Sequence, residues 1–346
     1  MSSSEGAAGV SRRRCIAWSV ILGVAALGAA AWVLWEPGAD LRDGRHDRGK
    51  NAIWMGHGWL GDDGWFERYN KTAQKEKFRS PQAIKAMAQR LREHRIADVF
   101  PHLCPTLMDG QVAAVDEAQV ERFLDGFEGF RVMPWIGGAW DYQAKPDDPR
   151  WRQTFARSAA DLLRRHPRFA GVHINIEPIP DQSEAFLKVL EALRAELPPG
   201  KVLSVSAHPP PLWVPLPKTD WSLEYYAKVA KHSDQIAVMA YNTGLRQQKA
   251  YQAQMKLWTW DILQAVPQTT DVLIGVPTYP DEGGYHLAEV ENIPTALTGV
   301  HGALHADALP PHFQGVALYC AWEMDESHWQ AFSRHYLKPN QQQEGP

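Results

Sequence analysis

The chain has 346 residues, 45% hydrophobic and 22% charged, with a formal net charge of −4. That composition suits a globular protein with a large core and argues against a nucleic-acid binder. Its three cysteines, Cys15, Cys104 and Cys320, supply no disulfide framework, although a Cys104–Cys320 bond between two predicted strands stays open. No CxxC or HExxH pattern occurs, so neither a metal nor another cofactor is expected.

Arg12-Arg13-Arg14 precedes an apolar run from Cys15 to Trp35, 21 residues without a charge. At ~1.5 Å per residue such a helix would cross a hydrocarbon core of about 30 Å. The arginines before it predict a cytoplasmic end (1–14), a membrane-spanning signal anchor (15–35) and a body outside the cytoplasm. A cleaved signal peptide is the alternative, because Ala29-Ala30-Ala31 offers small residues for cleavage. Residues 36–50 read as a polar linker, 51–338 as the body and 339–346 as a disordered tail.

The body repeats one theme. Strands are predicted over 52–56, 96–103, 130–136, 169–176, 201–207, 235–240, 272–276 and 315–321. Helical sequence follows each, at about 80–94, 116–126, 148–166, 181–197, 222–232, 247–265, 287–304 and 326–336. Ser80-Pro81 and Asp148-Pro149 are helix starts, and Asp181-Gln182-Ser183-Glu184 has the form of a capping box. Alternation of strand and helix predicts a parallel sheet. Eight units predict an α/β fold of the (β/α)8 TIM-barrel type, with a doubly wound open sheet as the other arrangement. No GxGxxG follows the first strand, which disfavours a dinucleotide site.

A barrel carries its chemistry at the C-terminal ends of its strands. Here those ends hold His57 and Trp59, His102, Trp135, Asn175 and Glu177, His208, Tyr241 and Asn242, Tyr279, and Trp322 and Glu323. On the fourth strand His173, Asn175 and Glu177 share one face by alternation, with Val172, Ile174 and Ile176 on the other. A carboxyl group among apolar rings keeps its proton more readily and can donate it to a leaving oxygen. Three of the fifteen tryptophans, Trp18, Trp32 and Trp35, lie in the N-terminal run, which leaves twelve for the body. Such a surplus serves either core packing or stacking on sugar rings. His57 and His102 are expected to be structural.

Three segments carry a resemblance. The fourth strand reads Ala170-Gly171-Val172-His173-Ile174-Asn175-Ile176-Glu177, the sixth ends Met239-Ala240-Tyr241-Asn242, and the eighth ends Ala321-Trp322-Glu323-Met324-Asp325. These resemble the D-x-x-D-x-D-x-E, M-x-Y-D and S-W-E-I-D motifs of glycoside hydrolase family 18, the chitinase family. The resemblance implies a substrate-assisted retaining mechanism, in which the substrate's 2-acetamido group is the nucleophile. It implies Glu177 as acid/base, Asn175 as orienter of the acetamido group, Tyr241 as its hydrogen-bond donor and Trp322 as the floor under the sugar. Asn242, Trp59, Trp135, His173, His208, Tyr279 and Glu323 are the further candidate substrate contacts. The chain departs from the pattern at His173, Asn175 and Asn242, where the family has acids. Asn175-x-Glu177 resembles instead the arrangement of the family 85 endo-β-N-acetylglucosaminidases.

The expected partner is a carbohydrate polymer or oligosaccharide containing N-acetylhexosamine, with the membrane as a second partner and no nucleic acid. Two alternatives remain. One is a two-carboxylate retaining glycosidase, suggested by Asn175-Ile176-Glu177-Pro178, for which the glutamate after strand seven, Glu282, lies only beyond the turn. The other is a membrane-anchored barrel that binds carbohydrate without cleaving it.

Overall fold

Each apolar run of the body forms a strand, and each strand is followed by a helix. The computed structural model describes residues 18, 20–28, 30–212, 220–304 and 309–339. The chain divides into two compact units, Met1–Pro37 and Gly38–Pro346. In the second unit the strands are β1 (Asn51–Met55), β2 (Ile96–Pro101), β3 in two pieces (Arg131–Val132 and Trp135–Ala139), β4 (Gly171–Glu177), β5 (Val202–Ala207), β6 (Gln235–Val238), β7 (Asp271–Pro277) and β8 (Phe313–Tyr319). The principal helices are α1 (Pro81–Glu93), α2 (Glu117–Gly126), α3 (Pro149–Arg165), α4 (Glu184–Glu196), α5 (Leu223–Ala230), α6 (Gln248–Ala265), α7 (Ile293–Ala303) and α8 (Glu326–His335).

All strand pairs are parallel, and β1 joins both β2 and β8. The sheet closes through β3. Its first piece pairs with β2 (Asp98 opposite Arg131), and its second pairs with β4 (Ala139 opposite Glu177). Met133 and Pro134 bridge the two pieces, the Met133 N–H donating to Val99 and the Pro134 carbonyl accepting from His173. Both ends of the sheet are therefore the same strand, and the open-sheet alternative is excluded.

Period-two alternation positions everything else. Val172, Ile174 and Ile176 are buried in the layer between the strands and the helices. Inside the barrel lie Ala52, Trp54, Phe100, Met133, Trp135, Ala237, Leu273 and Ala317. Below them is a polar layer around the fully buried Asp98, whose carboxylate accepts from Arg131 at 2.7 and 2.6 Å and from Gln235 and Gln314 at 2.7 Å each. A buried charge is tolerable only with this many partners.

Seven of the eight principal helices begin at a side-chain cap: Ser80, Asp116, Asp148, Ser183, Ser222, Asn292 and Asp325. The α4 cap is Ser183, not Asp181 as the capping-box pattern suggests. Asp181 instead accepts from the backbone and hydroxyl of Ser222, the α5 cap, at 2.8 and 2.9 Å.

Three expectations need correction. Among the described residues no helix is long and apolar enough to cross a membrane. The membrane anchor is therefore not supported; residues 15–17, 19 and 29, the end 1–14 and the tail from 340 lie outside the described residues. Of residues 36–50, expected as a polar linker, 38–50 pack on the barrel: Ala39 donates to the Thr298 carbonyl, and His46 and Asp47 are buried. Strand eight ends at Tyr319, two residues before the expected 321. Cys104 and Cys320 are both free thiols.

Candidate active site

Glu177 is the last residue of β4, and its side chain opens into the barrel mouth. Solvent reaches the carboxyl group from the open side, while protein crowds it elsewhere. That desolvation raises its pKa above the usual carboxylate range, and a hydrogen bond from Asn175 partly offsets the rise. The Asn175 amide donates from Nδ2 to Glu177 Oε1 at 2.7 Å. Its other atom, Oδ1, is buried and has no protein partner. Asn175 and Glu177 thus face the same way, as alternation predicts, and one amide oxygen is left to accept.

Opposite them, Tyr241 lines the same cavity together with His208, Asn242, Glu282 and Tyr285. Room for its ring depends on Gly275. A Cβ there would stand 2.2 Å from the Val238 carbonyl oxygen and 3.2 Å from the Tyr241 ring. Tyr279 donates its hydroxyl to Asn242 Oδ1 at 2.5 Å and stacks on buried His286, so Asn242 is held from behind.

Tyr241 also lies nearly parallel to Tyr319, with ring centroids 5.0 Å apart. Tyr319 meets the edges or faces of Trp54, Trp135, Tyr279 and Trp322 as well. It is the hub of the aromatic floor, and sequence reasoning passed over it. The placement of strand eight two residues too late put Trp322 at the strand end. The inward-facing alternation of Ala317 and Tyr319 was the signal that could have found it. Trp322 lies beyond the strand, 47% exposed, on the wall of a second cavity that Glu323 also lines.

The other expected contacts separate by burial. His208 lines the cavity of Glu177, where burial holds its pKa down near about 4. As a neutral ring it accepts at Nε2 from the Ile179 N–H, 3.1 Å away, and so ties down the loop leaving Glu177. His173 is not a substrate contact. It is fully enclosed, accepts from Trp54 Nε1 at 3.0 Å and bonds Ser204 and Ser206 at 2.8 Å each. Because Nε2 accepts, Nδ1 carries the hydrogen and donates to Ser204, whose hydroxyl donates to Gln235 at 2.6 Å. Burial pushes its pKa down to about 3. Trp135 is buried at the level of His173, between His102 and Tyr319. Trp59 packs on Phe78 and Phe123 and presents little surface. His57 pairs with Asp62 and stacks on Trp65 at the rim of the second cavity, beside His102. Asp325, at the end of the third motif, caps α8. Among the described residues no group of three or more His, Cys, Asp or Glu side chains is arranged to hold a metal ion.

The barrel mouth thus holds a carboxyl group with a raised pKa, an amide aligned with it and a floor of rings. The model of the glycosyl hydrolases family 18 matches residues 107–306, from the β2–α2 loop through α7. The chain belongs to glycoside hydrolase family 18. The matched stretch contains Glu177, Asn175 and Tyr241, whereas Tyr319 and Trp322 lie beyond it. Solved structures of similar fold include the spore cortex-lytic enzyme SleL of Bacillus cereus (10% identity, TM-score 0.53, 83% of this chain and 74% of that one). A chitinase from Bacteroides thetaiotaomicron is 11% identical with a TM-score of 0.50, over 86% and 99% of the two chains. A class V chitinase from Pseudomonas fluorescens Pf-5 is 14% identical with a TM-score of 0.53, over 83% and 99%. No curated protein sequence matches the chain. At these identities the likeness shows the barrel fold alone and leaves the chemistry to be argued from the site.

Proposed function

We propose that the protein is a glycosidase that cleaves N-acetylhexosamine-containing polysaccharide by the substrate-assisted retaining route. The observation that carries this reading is the Asn175–Glu177 pair. Glu177 holds its proton above the usual carboxylate range and delivers it to the glycosidic oxygen. The substrate's acetamido oxygen then attacks the anomeric carbon, giving an oxazolinium ion. Asn175 Oδ1, without a protein partner, accepts from the acetamido N–H, and the Tyr241 hydroxyl donates to the acetamido oxygen. Water attacks next, with Glu177 now as base. Tyr319 and Trp322 supply the rings beneath the sugar. Membership of family 18 and the SleL and chitinase barrels support the substrate class. Arg12-Arg13-Arg14 ahead of an uncharged run supports export of the body.

The test is turnover of N-acetylglucosamine oligosaccharides. Glu177→Gln is expected to lower kcat by about 10²- to 10⁴-fold, the usual worth of a general acid. Equal rates for the two proteins overturn the assignment. One observation favours a second reading: Glu282 lines the same cavity as Glu177, so a two-carboxylate displacement has a candidate nucleophile. A thiazoline mimic of the oxazolinium ion decides between them, since only acetamido participation gives tight binding of that inhibitor.

A further inference from the structure

Behind the wall that carries Tyr241 and Asn242 lies a buried acid that does not reach the cavity. Glu291, between β7 and α7, is enclosed together with His286 and Thr243. Its Oε1 accepts from the Thr243 N–H at 2.9 Å and from the Thr243 hydroxyl at 2.7 Å. That hydroxyl in turn accepts from the Leu245 N–H at 3.1 Å. Glu291 Oε2 stands 3.4 Å from His286 Nδ1. His286 donates from Nε2 to the Tyr279 carbonyl at 3.0 Å, and its ring stacks on that of Tyr279 with centroids 4.0 Å apart.

The two oxygens of Glu291 lead by different branches to one residue, Asn242. The first branch is backbone. Strand β6 has ended at Val238, and the chain turns left-handed at Asn242, with φ +62°. A residue other than glycine keeps such a φ only where its surroundings impose it. The Thr243 N–H that follows is buried, and the Glu291 carboxylate is its acceptor. The second branch is side chain. Glu291 faces His286, His286 backs Tyr279, and the Tyr279 hydroxyl donates to Asn242 Oδ1 at 2.5 Å. A buried carboxyl group is costly unless its atoms are used; here both oxygens are directed at the same stretch of wall.

Resting on the reading in which the Tyr241 hydroxyl donates to the acetamido oxygen, we propose that Glu291 is a positioning residue of the reaction. It touches no substrate. It sets the backbone of Tyr241 and Asn242, and so the reach of the Tyr241 hydroxyl to the acetamido group. The role needs the contacts of Glu291 and not its charge. A glutamine would keep them: its Oε1 accepts from Thr243, and its Nε2 donates to His286 Nδ1, which carries no hydrogen in a neutral ring that donates from Nε2. A leucine of similar bulk supplies neither.

The test measures kcat and KM on N-acetylglucosamine oligosaccharides well below each variant's melting temperature, so that the molecules counted are folded. Glu291→Leu is expected to lower kcat by about 10- to 100-fold, the effect of a small misplacement at the reacting centre. KM is expected to change by less than about threefold, because the Tyr241 contact tightens in the transition state. Glu291→Gln is expected to restore the rate to within about threefold of the wild type. Thr243→Val keeps the side chain's shape and cuts one link; its expected loss is about three- to tenfold, and it serves where Glu291→Leu does not fold. Tyr279→Phe cuts the second branch. Both branches end on Asn242, so its loss is expected not to add to that of Glu291→Leu. A folded Glu291→Leu or Thr243→Val protein with the wild-type kcat overturns the proposal, whatever its melting temperature. So do equal losses for leucine and glutamine, or additive losses in the double variant. Absence of turnover by the wild type itself sinks the assignment of Glu177 instead. A crystal structure of Thr243→Val or Glu291→Leu then decides the positioning claim: an Asn242 displaced from its left-handed φ or parted from Tyr279 sustains it, and an unmoved Asn242 overturns it.

Discussion

Asn175 does two things with one amide. Its Nδ2 donates to Glu177 and thereby favours the carboxylate, while its Oδ1 stays free. The first of these has a measurable sign. Glu177 must be protonated to act as acid, so activity is present below its raised pKa and falls as pH rises through it. Asn175→Ala removes the bond that lowers that pKa. The alkaline limb of the kcat/KM profile is therefore expected to move to higher pH, even as the rate drops for want of the orienting oxygen. A limb that stays in place or moves down would show that the amide does not govern the proton on Glu177. These two residues were legible in the sequence because strand alternation alone puts them on one face. His173 shares that face, yet its role was not legible. Its partners Trp54, Ser204 and Ser206 lie 119, 31 and 33 residues away, and no local pattern announces a ring enclosed by all three.

Strands β3 and β4 set the site's width. Gly137 has φ +139°, and a Cβ on it would fall 1.9 Å from the Asn175 carbonyl oxygen. Gly137→Ala must push the two strands apart beneath Asn175 and Glu177. The expected cost is about 1–3 kcal/mol, the range of overpacked cores, read as a lower denaturation midpoint, together with a loss of activity larger than the loss of folded protein. A variant with normal stability and rate would show that the strands are free to separate. His173→Ala is expected to cost about 1–3 kcal/mol for each group left unpaired, beginning with the Trp54 indole N–H. At this scale the sequence carried most of the answer. The eight strands and their helices follow from apolar runs and from caps such as Ser80 and Asp148 with their prolines. Strand eight ends at Tyr319, whose partner Pro277 is the last residue of β7. That limit is set by the neighbouring strand and does not show in one strand's composition, so the floor was sought at Trp322 and Tyr319 was missed.

Across the whole molecule, several imidazoles are buried neutral. Desolvation lowers His173 to about 3 and His46 and His208 to about 4, from an ordinary value of 6.5. The unfolded chain therefore binds more protons than the folded one between those limits. The stability these rings confer is whole above about pH 6.5 and is lost as pH falls toward 4 and below. Melting temperature is expected to decline over that window, and a flat profile would contradict the burial. His46 has a second consequence through the segment that carries it. His46 Nδ1 meets His301 Nδ1 of α7 at 2.8 Å, and its carbonyl accepts from Tyr336 after α8. Asp47 accepts from Asn51 in β1 and from Lys338 N–H, and Arg48 donates to the carbonyl of Pro311 just ahead of β8. Residues 38–50 thus fasten the first strand of the barrel to its last, across the one strand junction that the chain's own connectivity does not bridge. A chain shortened to begin at residue 51 keeps every strand but loses that fastening. Its β1 and β8 amides, Ala52 and Ala317 among them, should exchange with deuterium faster than those of a chain beginning at Gly38. The first opening of the barrel would then come at the β1–β8 seam.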